Sequence, residues 1–249
     1  MNEEIIVTYV AENCYSLEIG DYFLVFDYYN GILNIPDDKK LVFFATSKKK
    51  GHYSPEILKL FDMNNVKYLL ATDIAYDSSD GRVIYLKNKE LSIERLKELY
   101  KKKNVTFIKE YKNIKVAKDL DVFSYGESDT GLSLVIRIYD FLIFYTGDSF
   151  FTEGQRSLEE VNNYLFDIYE DFLDVDLSFF PIKTDWGEKI YERARAFTEV
   201  LDPQILFPLN VGDELEDTRD FKNYLGNYDT DVRFLIEDNQ AFVIDMDEE

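Results

Sequence analysis

The apolar positions of the chain recur with two periods. Ile5 to Val10, Tyr15 to Ile19 and Tyr22 to Phe26 are short runs rich in β-branched and aromatic residues, and the Gly20–Asp21 step between two of them marks a tight hairpin turn. Leu41 to Ala45 is apolar without a break, as expected of a strand buried on both faces. Ser54-Pro55 then offers an N-cap and a first-turn proline, and Ile57, Leu60 and Phe61 follow at helical spacing. Val66 to Ala71 returns to strand. Ile93, Leu96 and Tyr100 predict a helix ending in Lys101 to Lys103, where cations suit the C-terminal dipole and stay solvated.

The second half repeats the theme in different residues. Leu132 to Ile138 and Phe141 to Tyr145 flank a Tyr139–Asp140 turn. Ser157 and Glu160 have the spacing of a capping box, ahead of a helical face made by Val161, Leu165, Ile168 and Phe172. Val175 to Phe180 and Ile205 to Phe207 read as strands, with a helix between them carrying Tyr191, Ala194, Phe197 and Leu201. Phe221 and Leu225 suggest a last helix, and Val232 to Ile236 with Ala241 to Ile244 a closing pair of strands. Hairpins occur in each half, mixed with helices. The expected architecture is therefore α/β, with two mixed β-sheets covered by helices on their outer faces rather than one parallel doubly wound sheet. No linker rich in Pro, Gly or Ser interrupts the chain, so 1–249 is expected to be a single domain.

Composition narrows the function. Hydrophobic residues make up 46 % of the 249 residues, which is enough for a large core. The net charge of −21 repels phosphate backbones and anionic lipid, so nucleic acid and membrane surfaces are not expected partners. The charge reads first as solubility, and the partner is left open, with a small molecule or a basic protein as the classes it allows. The N-terminus is acidic and strand-like, and no apolar run approaches the roughly 18 residues of a membrane helix. The single cysteine, Cys14, is expected to pack rather than react, and the lack of any internal disulfide suits a reducing cytoplasm.

Four stretches carry a resemblance, in order. They are "YSLEIGDYFLVFDYYNG", which includes Asp27, then "LVFFATSKKKGHYSPEILKL", "ESDTGLSLVIRIYDFLIFYTGDSFF" and "LDPQILFPLN". Together they resemble the metallo-β-lactamase-fold hydrolases over nearly the whole chain. That resemblance implies a four-layer αββα sandwich and a site in which a His-x-His-x-Asp-His loop, a later Gly-Asp and a late histidine hold two metal ions.

Laid on that pattern, Ser47 stands at the first histidine, Lys49 at the second and Gly51 at the aspartate, while His52 matches. Asp148 matches the bridging aspartate, Asn210 stands at the last histidine, and Asp129 lies where it offers an oxygen. The chain has no other histidine. A dinuclear zinc site needs imidazole and carboxylate donors to lower the pKa of a bridging water. With so few donors and an ammonium at Lys49, no metal cofactor is expected. The implied function is a degenerate, non-catalytic pseudoenzyme of hydrolase-like ancestry. The alternative is a hydrolase with one unusual divalent ion (Zn, Mn or Fe) on His52, Asp148, Asp129 and Asn210. The Lys49 ammonium is expected to pair with Asp148 in the place of a metal, with Lys48 and Lys50 solvated. Asp185 and Trp186 are candidates for lining a pocket.

Overall fold

The computed structural model describes residues 4–60, 66–77, 84–86, 89–91, 98–127, 131–147, 157–182, 188–211 and 215–245. Two compact units emerge. The first comprises Met1–Ile108 with Asp238–Glu249, and the second Lys109–Glu237.

The first unit is built on a seven-stranded sheet. Strands β1 (Ile5–Ala11), β2 (Cys14–Ile19) and β3 (Tyr22–Phe26) form an antiparallel meander. From β3 the sheet turns parallel, through β4 (Lys40–Ala45), β5 (Val66–Ala71) and β8 (Val105–Ile108). Parallel strands are joined by crossovers and buried on both faces, which is why β3 and β4 read as unbroken apolar runs. The crossovers carry α1 (Ile57–Leu60) and α2 (Thr72–Asp77), and β6 (Ile84–Leu86) and β7 (Lys89–Leu91) form a separate two-stranded antiparallel ribbon. Phe26 stacks on Phe44 at 4.9 Å and Phe43 on Tyr68 at 5.6 Å, so neighbouring parallel strands are keyed by their rings.

The second unit holds another seven-stranded sheet with the same grammar. Strands β9 (Lys112–Ala117), β10 (Leu120–Glu127), β11 (Gly131–Ile138) and β12 (Phe141–Tyr145) form the antiparallel part. Strands β13 (Leu177–Pro181), β14 (Ile205–Leu209) and the two-residue β15 (Asp231–Val232) continue it in parallel. The connections are α3 (Leu158–Asp171), α4 (Glu188–Leu201) and α5 (Asp217–Tyr224). The capping box at Ser157 and Glu160 starts α3, and Val161, Leu165, Ile168 and Phe172 are buried. Tyr139 turns the β11–β12 hairpin with a positive φ of 53°. No helix among the described residues is long and apolar enough to cross a membrane.

Two mixed sheets with helices are thus present, as the alternation of hairpins and helical stretches implied. One detail differs. The closing strands are not partners: β15 extends the second sheet, whereas β16 (Gln240–Ile244) returns to pair antiparallel with β1 in the first. Strand partners are chosen by long-range geometry, which hydrophobic period does not encode. Strands β8 to β10 also escaped the reading, because runs such as Lys112–Ala117 are dominated by exposed polar residues at a sheet edge. Phe61, Ile93 and Leu96 lie outside the described residues.

Candidate functional site

The loop after β4 is organised by two carboxylates of the first unit. Asp27 follows β3 with a positive φ of 48°, and its N–H donates to Phe44 O at 2.9 Å, extending the β3–β4 pairing by one step. Its side chain is fully buried. Oδ1 accepts from the Thr46 N–H at 2.7 Å and Oδ2 from the Thr46 hydroxyl at 2.7 Å. His52 reaches the same oxygen: Nδ1 lies 2.7 Å from Asp27 Oδ2 and 3.4 Å from Thr46 Oγ1. A buried carboxylate is tolerated when donors surround it, and this one has three.

The far side of the imidazole is engaged too. Nδ1 faces the Asp27 carboxylate, an acceptor, and in the tautomer that places the proton there Nε2 accepts from Asn13 Nδ2, which lies 3.1 Å away. Asn13 sits in the turn between β1 and β2, where Ala11 pairs with Cys14 and Glu12 takes a φ of 57°. The tight turn delivers its amide into the interior, and Asn13 and His52 are only 4 % and 2 % exposed. Cys14 beside it is buried, and its thiol pKa is raised well above the ordinary range by burial and then by the Asp27 charge. That is the state of a packing cysteine rather than a nucleophile.

The second carboxylate is Asp73 in the first turn of α2. Its Oδ2 accepts from the Lys48 N–H at 3.0 Å and from the Ser47 hydroxyl at 3.3 Å. Ser47 Oγ in turn accepts from the Lys49 N–H at 3.2 Å. The His52 N–H closes the loop by donating to Lys49 O at 3.1 Å. Burial raises the Asp73 pKa, with the Lys48 and Ser47 hydrogen bonds working in the opposite direction.

The structure therefore brings Ser47, Lys49, Gly51 and His52 into one loop of the first unit. Lys49 is half-buried, while Lys48 and Lys50 are exposed. Asn210 follows β14 in the second unit, half-buried with a φ of 54°. Asp129, Asp148, Asp185 and Trp186 lie outside the described residues. Asn13, Thr46 and Asp73 organise the loop and were not anticipated. A strand-end Thr72-Asp73 ahead of a helical stretch is a readable cap signal for the last of these, but nothing local distinguishes Asn13.

The fold's hydrolases imply metal here, and the donor set of this loop does not fit one. Ser47 is tied to Asp73, Gly51 has no donor side chain, and the lone pair of His52 Nε2 is taken by an amide N–H. Among the described residues no cluster of three His, Cys, Asp or Glu side chains could hold an ion.

No protein-family profile matches the chain, and no curated protein matches it. Solved structures do. YhfI from Bacillus subtilis, a metallo-β-lactamase fold protein, superposes with a TM-score of 0.64 at 11 % identity, over 97 % of this chain and 99 % of its own. Igni18, a metallo hydrolase from Ignicoccus hospitalis, gives 0.61 at 12 %, over 98 % and 99 %. CmlA, a diiron β-hydroxylase from Streptomyces venezuelae, gives 0.64 at 12 %, with 99 % of this chain spanning 55 % of that one. At such identities the likeness carries architecture alone: the chain has the metallo-β-lactamase fold.

Proposed function

We propose that this protein is a non-catalytic member of its fold, a metal-free cytoplasmic scaffold that acts by binding a small molecule or a basic protein. The observation that carries this reading is the state of His52. It is the chain's one histidine, and both ring nitrogens are held by the protein's own side chains in a buried setting. A cation could use this lone pair only by displacing the Asn13 amide from the buried ring. The hydroxyl of Ser47 at the first histidine position serves a carboxylate, and Lys49 brings a positive charge to the second. With no activated water, the hydrolytic step of the fold's metallo-enzymes has no source of nucleophile.

The test is metal analysis of untagged protein, together with assays on ester, lactam and phosphodiester substrates. The expected result is substoichiometric metal and hydrolysis at background. A chelator-sensitive activity that copurifies with the protein and disappears in His52→Ala would overturn the reading.

A further inference from the structure

We infer that Asn13 and Gly51 form an internal plug, the asparagine amide taking the coordinating lone pair of His52 and the glycine leaving room for it. The inference rests on the metal-free reading and identifies the device that enforces it. A metal ion would have to stand about 2.0–2.1 Å from Nε2. In this protein the Asn13 amide nitrogen stands 3.1 Å from the same atom. One lone pair serves one partner, an N–H or a cation, not both.

Gly51 is the second half of the device. It stands at the position the resemblance gives to a metal-binding aspartate, and its φ of +89° suits glycine. A Cβ built there would meet Asn13 Nδ2 at 3.3 Å and Glu12 Oε2 at 3.9 Å. The first contact is tight enough that the amide would have to give by a few tenths of an ångström. The space next to Gly51 is thus filled from the other side, by a residue 38 positions earlier in the chain. The hairpin that carries Asn13 cannot easily yield. Its ends are paired at Ala11 and Cys14, β1 is flanked by β2 and β16, and the side chain is buried. The plug is therefore made from a two-residue turn whose ends are fixed in the sheet.

Because the protein has a single histidine, nitrogen NMR of the imidazole reports on the plug without assignment ambiguity. In the wild type, Nδ1 should carry the proton and Nε2 should behave as a hydrogen-bond acceptor, and excess Zn²⁺ alone should leave both signals in place. In Asn13→Ala the Nε2 signal should shift as its donor is lost. Unfolding in urea provides a readout independent of metal. Gly51→Ala should lower the midpoint in the wild type, through backbone strain and crowding of the amide, and should lower it less in an Asn13→Ala background, where only the strain remains. A wild-type imidazole that responds to Zn²⁺, an Nε2 signal that does not move in a folded Asn13→Ala protein, or equal Gly51→Ala losses in both backgrounds would each overturn the plug. Zn²⁺ binding by the wild type that leaves the imidazole signals unmoved would overturn the metal-free reading and leave the plug standing.

Discussion

Asp27 and His52 meet at 2.7 Å between Oδ2 and Nδ1, both inside the first unit and both almost without solvent contact. The pair joins the end of β3 to the end of the loop that follows β4. Thr46 supplies two more donors to the same carboxylate, so the loop is anchored at its start and at its end by one acidic group. That anchoring needs no cation.

Removing the carboxylate should therefore be costly. In Asp27→Ala the buried donors of Thr46 and His52 lose their acceptor together, and stability should fall by about 3–5 kcal/mol. Urea denaturation monitored by circular dichroism measures this directly. A loss below about 1 kcal/mol, the worth of one ordinary hydrogen bond, would mean that the cluster is not holding the loop.

Asp73 should give a pH-dependent effect of definite sign. Burial raises its pKa in the folded protein, so the folded state binds the proton more tightly than the unfolded chain does. Its contribution to stability is then greatest at low pH. It declines as pH rises from about 4, the unfolded value, through the raised folded value, and is constant above that. Asp73→Asn keeps an acceptor oxygen for the Lys48 N–H and removes the titration. The stability of the variant relative to wild type should rise across that window and then level off. A difference that is flat, or that falls with pH, contradicts the assignment.

The three lysines of the loop should not behave alike. Lys48 and Lys50 are exposed, and the hydrogen bond that Asp73 takes from Lys48 comes from its backbone N–H, which a substitution keeps, while the ammonium acts on Asp73 only as a solvated charge. Lys48→Ala should therefore stay within about 0.5 kcal/mol of wild type. Lys49 is half-buried, so Lys49→Ala gives up the packing of its stem and should cost about 1 kcal/mol. Equal, negligible losses in parallel thermal melts of the two variants would show that the half-buried stem of Lys49 packs no better than that of Lys48.

The α3 start offers an independent check on the second unit. The Ser157 hydroxyl accepts from the Glu160 N–H at 3.2 Å while Glu160 Oε2 accepts from the Ser157 N–H at 2.7 Å. Ser157→Ala breaks the first bond and should cost about 1 kcal/mol by urea denaturation. No measurable loss would show that the helix start is held by packing alone.

What the sequence determined by itself was what short-range chemistry encodes. The unbroken apolar run Leu41–Ala45 had to be a strand covered on both faces, and the Ser157/Glu160 spacing had to begin a helix, because neither signal depends on distant residues. The loop from Ser47 to His52 was legible as a distinct segment between strand and helix for the same reason: its residue types and spacing are local. Which partner each group finds was decided only by the tertiary structure. Nothing in the local sequence joins Asn13 to His52, Asp73 to Ser47 or Gln240–Ile244 to β1, since those contacts exist only once the sheet has set its register. A hairpin-turn asparagine is ordinarily a solvated residue. Here the pairing of Ala11 with Cys14 turns it inward, onto the one histidine of the chain.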